Sequence, residues 1–293
     1  MFNDDPILNQ LPPIEDETIY SYLSRIGACT GLIILGYQPY SEYLFGTKRL
    51  KTPNYYLCDC LDNLIKRIGN NEFDCLSSSG AIIMNMTVFP FYSHFISRNI
   101  SSSVIKELLT DTPKLNSVAR KLKIFTLDNQ IERNQVIKFC PECIKEQIYL
   151  NREHMVIGNY MCYKHRIPLN YIVAGNNSRY PKFINILSLD YTNGLPCINN
   201  SYLFYNHVAD FVHSIFMGDF SDSLETIKDK IKYKLENMDF IVDETINFQK
   251  LNNEFTLYRE LFKGVINENA ISEMVFRKNP NSKNIMPIHY IYF

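Results

Sequence analysis

Two short motifs hold the side chains best suited to chemistry. Cys140-Pro141-Glu142-Cys143 is followed, after eighteen intervening residues, by Cys162-Tyr163-Lys164-His165. Three thiols and an imidazole, presented as two pairs on two tight turns, suit zinc. Thiolate sulfur sits about 2.3 Å and imidazole nitrogen about 2.0 Å from that ion, and a short hairpin or loop between the pairs can close the tetrahedron. Four protein donors fill the shell, so the expectation is one structural Zn2+ with no open position for water or substrate. Its expected effect is on folding, on the order of 10 kcal/mol in small modules. A redox Cys-x-x-Cys of the thioredoxin type competes with this reading, but it would open a helix directly after a strand and leave Cys162 and His165 without a task. Four unrelated buried residues are the other alternative.

The remaining candidates are weaker. Arg152-Glu153-His154 suggests a metalloprotease only at first sight: H-x-x-E-H needs His at position 150, where Leu150 stands, and H-E-x-x-H is absent. His154 is expected to support the metal ligands from behind or to fill the core. Cys29, Cys58, Cys60, Cys75 and Cys197 are expected to be small buried hydrophobes. His94, His207, His213 and His289 are expected to be ordinary core or surface residues. No phosphate-binding glycine loop, dinucleotide fingerprint or serine-hydrolase elbow occurs. From Lys138 to Arg166, five basic residues (Lys138, Lys145, Arg152, Lys164, Arg166) stand against three acidic ones (Glu142, Glu146, Glu153). Those five are the candidate DNA contacts, on a face that solvated surface charge explains as well.

The elements that must position these groups follow from pattern. After Leu11-Pro12-Pro13, Asp16 is expected to cap a helix carrying Ile19, Tyr22, Leu23 and Ile26 on one face, with Gly27 and Gly31 ending it. Helices are also expected over 59–68, 103–109, 115–122 and from Tyr202 onward. The stretch from Ala81 to Tyr92, interrupted by Pro90, reads as a buried connection. Residues 171–196 look loop-like, with turns at 175–178 and 192–196. Leu224, Ile227, Ile231 and Leu235 form the apolar stripe of an amphipathic helix. Phe255 to Phe262, Gly264, and Asn267 to Val275 are compatible with a helix-turn-helix.

The whole is a chain of 293 residues, 46% hydrophobic, with 30 Lys plus Arg against 31 Asp plus Glu and a net charge of -1. That composition supplies a core and excludes a global basic field. An acidic start, no apolar run of about 20 residues, and too few cysteines for a disulfide scaffold point to the cytoplasm. The expected fold is mainly α with a small β-containing zinc-finger or zinc-ribbon module, and helix-turn-helix-like pairs are compatible with both ends. The expected segments are 1–134, helical; 135–175, the zinc module; and 176–293, helical.

Three stretches together resemble the TniQ/TnsD family of transposon target-selection proteins. The first runs from Leu11 to Arg25, with its prolines, acidic residue and Ile19-Tyr20-Ser21. The second is Met86-Thr87-Val88-Phe89-Pro90-Phe91-Tyr92, where Met86 replaces a common His. The third is Phe139-Cys140-Pro141-Glu142-Cys143 through Arg152-Glu153-His154 to Cys162-Tyr163-Lys164-His165-Arg166-Ile167-Pro168-Leu169. A fainter likeness continues through Tyr258-Arg259, Phe276-Arg277-Lys278 and Pro287-Ile288-His289-Tyr290, and the end at Phe293 suggests a short or shortened member. The resemblance implies a non-enzymatic adaptor. It would recognise attachment-site duplex DNA, or a CRISPR effector, and recruit an AAA+ ATPase that calls the transposase. Self-association is compatible with that role, and a membrane is not involved. A zinc-ribbon DNA-binding transcriptional regulator is the alternative.

Overall fold

The computed structural model describes residues 11–32, 37–45, 61–68, 73–110, 117–118, 121–122, 136–173, 185–198, 202–242 and 245–254. Among these the protein is mainly helical, with a small three-stranded antiparallel sheet beside a cluster of three cysteines and one histidine. The proposed helix-turn-helix over 255–275 lies outside the described residues, as does half of the helix expected over 115–122.

The first helix, α1 (Ile19–Cys29), starts two residues later than the sequence suggests. Thr18 is its N-cap, its hydroxyl accepting from Ser21 N, while Asp16 sits at φ 57° and spends its carboxylate elsewhere. Gly27 lies inside the helix instead of ending it. A Cβ at that position would come within 2.7 Å of the buried Tyr40 ring, so glycine is there for close approach rather than as a stop. Gly31, at φ 70°, follows the C-cap Thr30. Tyr40 belongs to α2 (Tyr37–Phe45), which packs on α3 (Leu61–Ile68).

Pro90 does not break a helix; it opens one. The stretch expected as an irregular connection is two short helices, α4 (Ser79–Asn85) and α5 (Phe89–Ser93), with Pro90 in the first turn of the second, where its missing N–H costs nothing. Thr87 forms the joint: its hydroxyl donates to Ile83 O and accepts from Phe89 N. Helix α6 (Arg98–Leu108) follows, anchored by buried Val104 and Leu108.

Strand β1 (Val136–Phe139) pairs antiparallel with β2 (Asn170–Val173), Val136 opposite Val173 and Phe139 opposite Asn170. β3 (Leu195–Pro196) adds to the far side of β2. Between β1 and β2 lie α7 (Pro141–Glu146) and α8 (Arg152–Met155), so the link between the cysteine pairs is a loop carrying the short α8 rather than a hairpin. Two longer helices come next, α9 (Tyr202–Met217) and α10 (Leu224–Asn237), and the stripe Leu224, Ile227, Ile231 and Leu235 is buried along α10. A small β4 (Ile241–Val242) and β5 (Thr245–Ile246) ribbon leads to α11 (Phe248–Glu254).

One hydrophobic cluster extends from Ile19 to Ile246, through all three segments expected from sequence. Its aromatic centre joins α5 to α9: Phe91 lies 5.2 Å from Phe95 and 6.3 Å from Phe216, and Phe211 meets Phe220 edge-on at 4.9 Å. No helix among the described residues is long and apolar enough to cross a membrane.

Candidate metal centre

The first ligand pair is set by the step from β1 into α7. Cys140 caps the helix in extended conformation, Pro141 occupies the first turn, and Cys143 follows within it. The amide of Gln147 closes the turn on Cys143 O at 2.9 Å. The second pair sits on a tight loop closed by Cys162 N to Ile167 O and Arg166 N to Cys162 O, each 2.9 Å, with Arg166 at φ 56°. His165 N points at Cys162 Sγ, 3.5 Å away.

These two loops bring the donors of Cys140, Cys143, Cys162 and His165 within 4.8 Å of one another, with all three cysteines buried. Cys143 and Cys162 Sγ are 3.8 Å apart, and His165 Nδ1 lies 3.4, 3.3 and 3.7 Å from Cys140, Cys143 and Cys162 Sγ. A tetrahedron drawn with ordinary zinc bond lengths has edges of about 3.8 Å between sulfurs and about 3.6 Å between sulfur and nitrogen. The donor set therefore fits a tetrahedral metal ion and can hold one. Hydrogen bonds from Cys143 and Cys162 hold Cys140 far below its usual range; sharing with Cys140 pushes Cys143 far up and Cys162 to about 11. A divalent cation is what lets all three ionise together.

The centre is joined to α1 by a seam of main-chain and charged contacts. Thr18 N donates to Leu150 O at 2.9 Å, Leu150 N to Ser21 Oγ at 2.9 Å, and Arg152 N to Asp16 O at 2.8 Å. The Asp16 carboxylate receives Arg152 Nε at 3.0 Å, while Arg152 Nη1 donates to Met84 O at 2.9 Å. Beside them Glu17, fully buried, accepts from Ser21 Oγ, Arg25 Nε and Arg25 Nη2 at 2.6, 2.8 and 2.6 Å. Buried charges persist only when paired and hydrogen-bonded in this way.

On its other flank the centre meets α9. Tyr163 stacks on His213 with ring centroids 3.6 Å apart and planes at 10°, and Arg166 lies over Tyr163 at 4.6 Å. His213 Nδ1 is 2.7 Å from Glu153 Oε1. Burial raises the Glu153 carboxyl, an effect the His213 contact opposes. His154 is buried, and burial pushes it down to about 4, so it sits neutral at physiological pH.

The candidate DNA contacts separate into two groups. Lys138 and Arg152 are buried: Lys138 Nζ donates to Val156 O and Asn159 O at 2.5 and 2.8 Å, and Arg152 is held in the α1 seam. The charges of both are satisfied inside the fold. Lys145, Lys164 and Arg166 are on the surface, but each faces its own carboxylate, from Glu142, Glu146 and Asp210 respectively. Cys29 is exposed rather than buried, and Cys75 and Cys197 are half-buried. The pairing of Glu17 with Arg25, and the contacts that Asp16, Glu146 and His213 make here, were not expected from the sequence; Arg25, a charge inside the apolar run of α1, was the one visible signal.

A mainly helical protein carrying a fused finger of three cysteines and one histidine is the class that fold and site define. Residues 9–169 match the TniQ family, more than half of the chain, and the match ends where the second ligand loop ends. The chain belongs to the TniQ family, whose membership implies a protein of transposition target selection; proteins of this family are non-catalytic adaptors of transposition. No curated protein matches the sequence.

Proposed function

We propose that the protein is a target-site selection adaptor of a bacterial transposon, with a single structural zinc held by Cys140, Cys143, Cys162 and His165. It engages attachment-site duplex DNA or a CRISPR effector on one side and an AAA+ ATPase on the other, and the ATPase brings in the transposase. The observation that carries this reading is the coincidence of the family match with a donor set of tetrahedral dimensions at its end. Four protein donors saturate the ion, so the chemistry it supplies is cross-linking of the chain rather than activation of water.

A zinc-ribbon regulator that binds DNA through the finger is less well supported. Two of its five candidate cations are buried, and the other three are matched by carboxylates. Phosphate binding requires uncompensated positive charge and shows as a steep salt dependence. The test is retention of the purified AAA+ ATPase from the same transposon by the immobilised full chain, alongside titration with attachment-site duplex at two salt concentrations. Retention of the ATPase supports the adaptor. No retention, with tight and steeply salt-dependent DNA binding, would establish the regulator instead.

A further inference from the structure

Resting on the zinc reading above, we propose that Glu146 is the positioning residue that fixes the tautomer and orientation of the metal-binding imidazole, and that Lys164 holds Glu146 in place for this task. A neutral imidazole has one lone pair and one N–H. In His165 the Nδ1 atom faces all three sulfurs, so the lone pair belongs there and the proton belongs on Nε2. That proton needs an acceptor, and Glu146 Oε1 lies 3.2 Å from Nε2. The other carboxylate oxygen, Oε2, receives Lys164 Nζ, so the carboxylate is tethered from the residue just before His165.

The sequence builds this from one helical turn. Cys143 and Glu146 are three residues apart on α7 and share a face, so the turn that presents a thiolate to the metal also presents the carboxylate to the imidazole. Lys164 and His165 are adjacent on the opposing loop. Each loop therefore supplies ligands together with one member of the supporting pair. Carboxylates that orient ligating histidines are worth about 10- to 100-fold in metal affinity, and a Glu146 side chain that is 54% exposed places this one near the lower end.

The experiment measures zinc affinity of the full chain by chelator competition, together with the 15N shifts of the His165 ring and the solvent exchange of its Nε2 proton. For Glu146→Ala the expectation is about tenfold weaker zinc binding and faster exchange of the Nε2 proton. Glu146→Gln keeps an acceptor oxygen and should recover most of both. Lys164→Ala should speed exchange while the zinc ligands stay the same. If the unaltered protein binds zinc but Glu146→Ala changes affinity less than twofold and leaves exchange as it was, the positioning role is wrong. If the unaltered protein binds no zinc, the metal reading itself fails, and this proposal with it.

Discussion

Replacing Arg152 by alanine cuts the seam between the finger and α1 at its most connected point. The side chain, 8% exposed, donates to the Asp16 carboxylate and to Met84 O and lies over the Phe216 ring at 4.5 Å, so it joins the segment leading into α1 to α4, α8 and α9. Alanine leaves a largely buried carboxylate and a carbonyl without their donor. Breaking a buried pair from one side costs about 3–5 kcal/mol and a desolvated cation–π contact about 1–2 kcal/mol; with Asp16 keeping some access to water, about 4 kcal/mol in total is expected. Arg152→Lys keeps the charge but loses the planar fork and the ring contact, and should cost roughly half as much. The assay is urea unfolding of the zinc-loaded chain, followed by far-UV circular dichroism because the protein has no tryptophan. At a slope of about 3 kcal/mol per molar, the midpoint should fall by more than 1 M with the slope unchanged. A loss below about 1 kcal/mol would place Arg152 with ordinary surface cations and refute the seam as an energetic link.

Gly27→Ala should destabilise the fold by about 1–3 kcal/mol, because the new methyl meets a Tyr40 ring that is fully buried and pinned by its hydroxyl bond to Leu23 O; the same denaturation assay checks it, and Tyr40→Leu in the same chain should recover part of the loss. His154 carries a pH dependence. With its pKa lowered from 6.5 to about 4, the unfolded chain takes up a proton that the folded one refuses, so stability should fall as pH drops through that window, by roughly 3 kcal/mol overall. In His154→Gln this part of the slope should vanish, as pH-dependent unfolding will show. Cys140→Ser should release the metal and strip hydrogen-exchange protection from 136–173; loss of ATPase recruitment with zinc and protection retained would instead locate function on a surface contact.

The gathering of Cys140, Cys143, Cys162 and His165 was legible in the sequence because its signal is local: two pairs at short spacing need only tight turns, and Pro141 and the Lys164-His165 turn supply them. The stripe of α10 was legible for the same reason, since periodicity within one helix reports which face is buried. What escaped were groups whose partners are remote. Asp16 looks like an N-cap until Arg152, 136 residues away, claims its carboxylate. Arg152 and Lys138 look like surface cations until the carbonyls of Met84, Val156 and Asn159 are brought beside them. Gly27 looks like a stop until the Tyr40 ring arrives against it. In each case one-dimensional spacing reports residue type correctly, while a long-range contact decides its role.

The most direct test is X-ray absorption at the zinc edge on the purified full chain, with metal content measured on the same sample. The account predicts one zinc per chain, bound by three sulfurs at about 2.3 Å and one nitrogen at about 2.0 Å. A chain that purifies without metal, or a shell holding a water or carboxylate oxygen in place of one of those four donors, would contradict it.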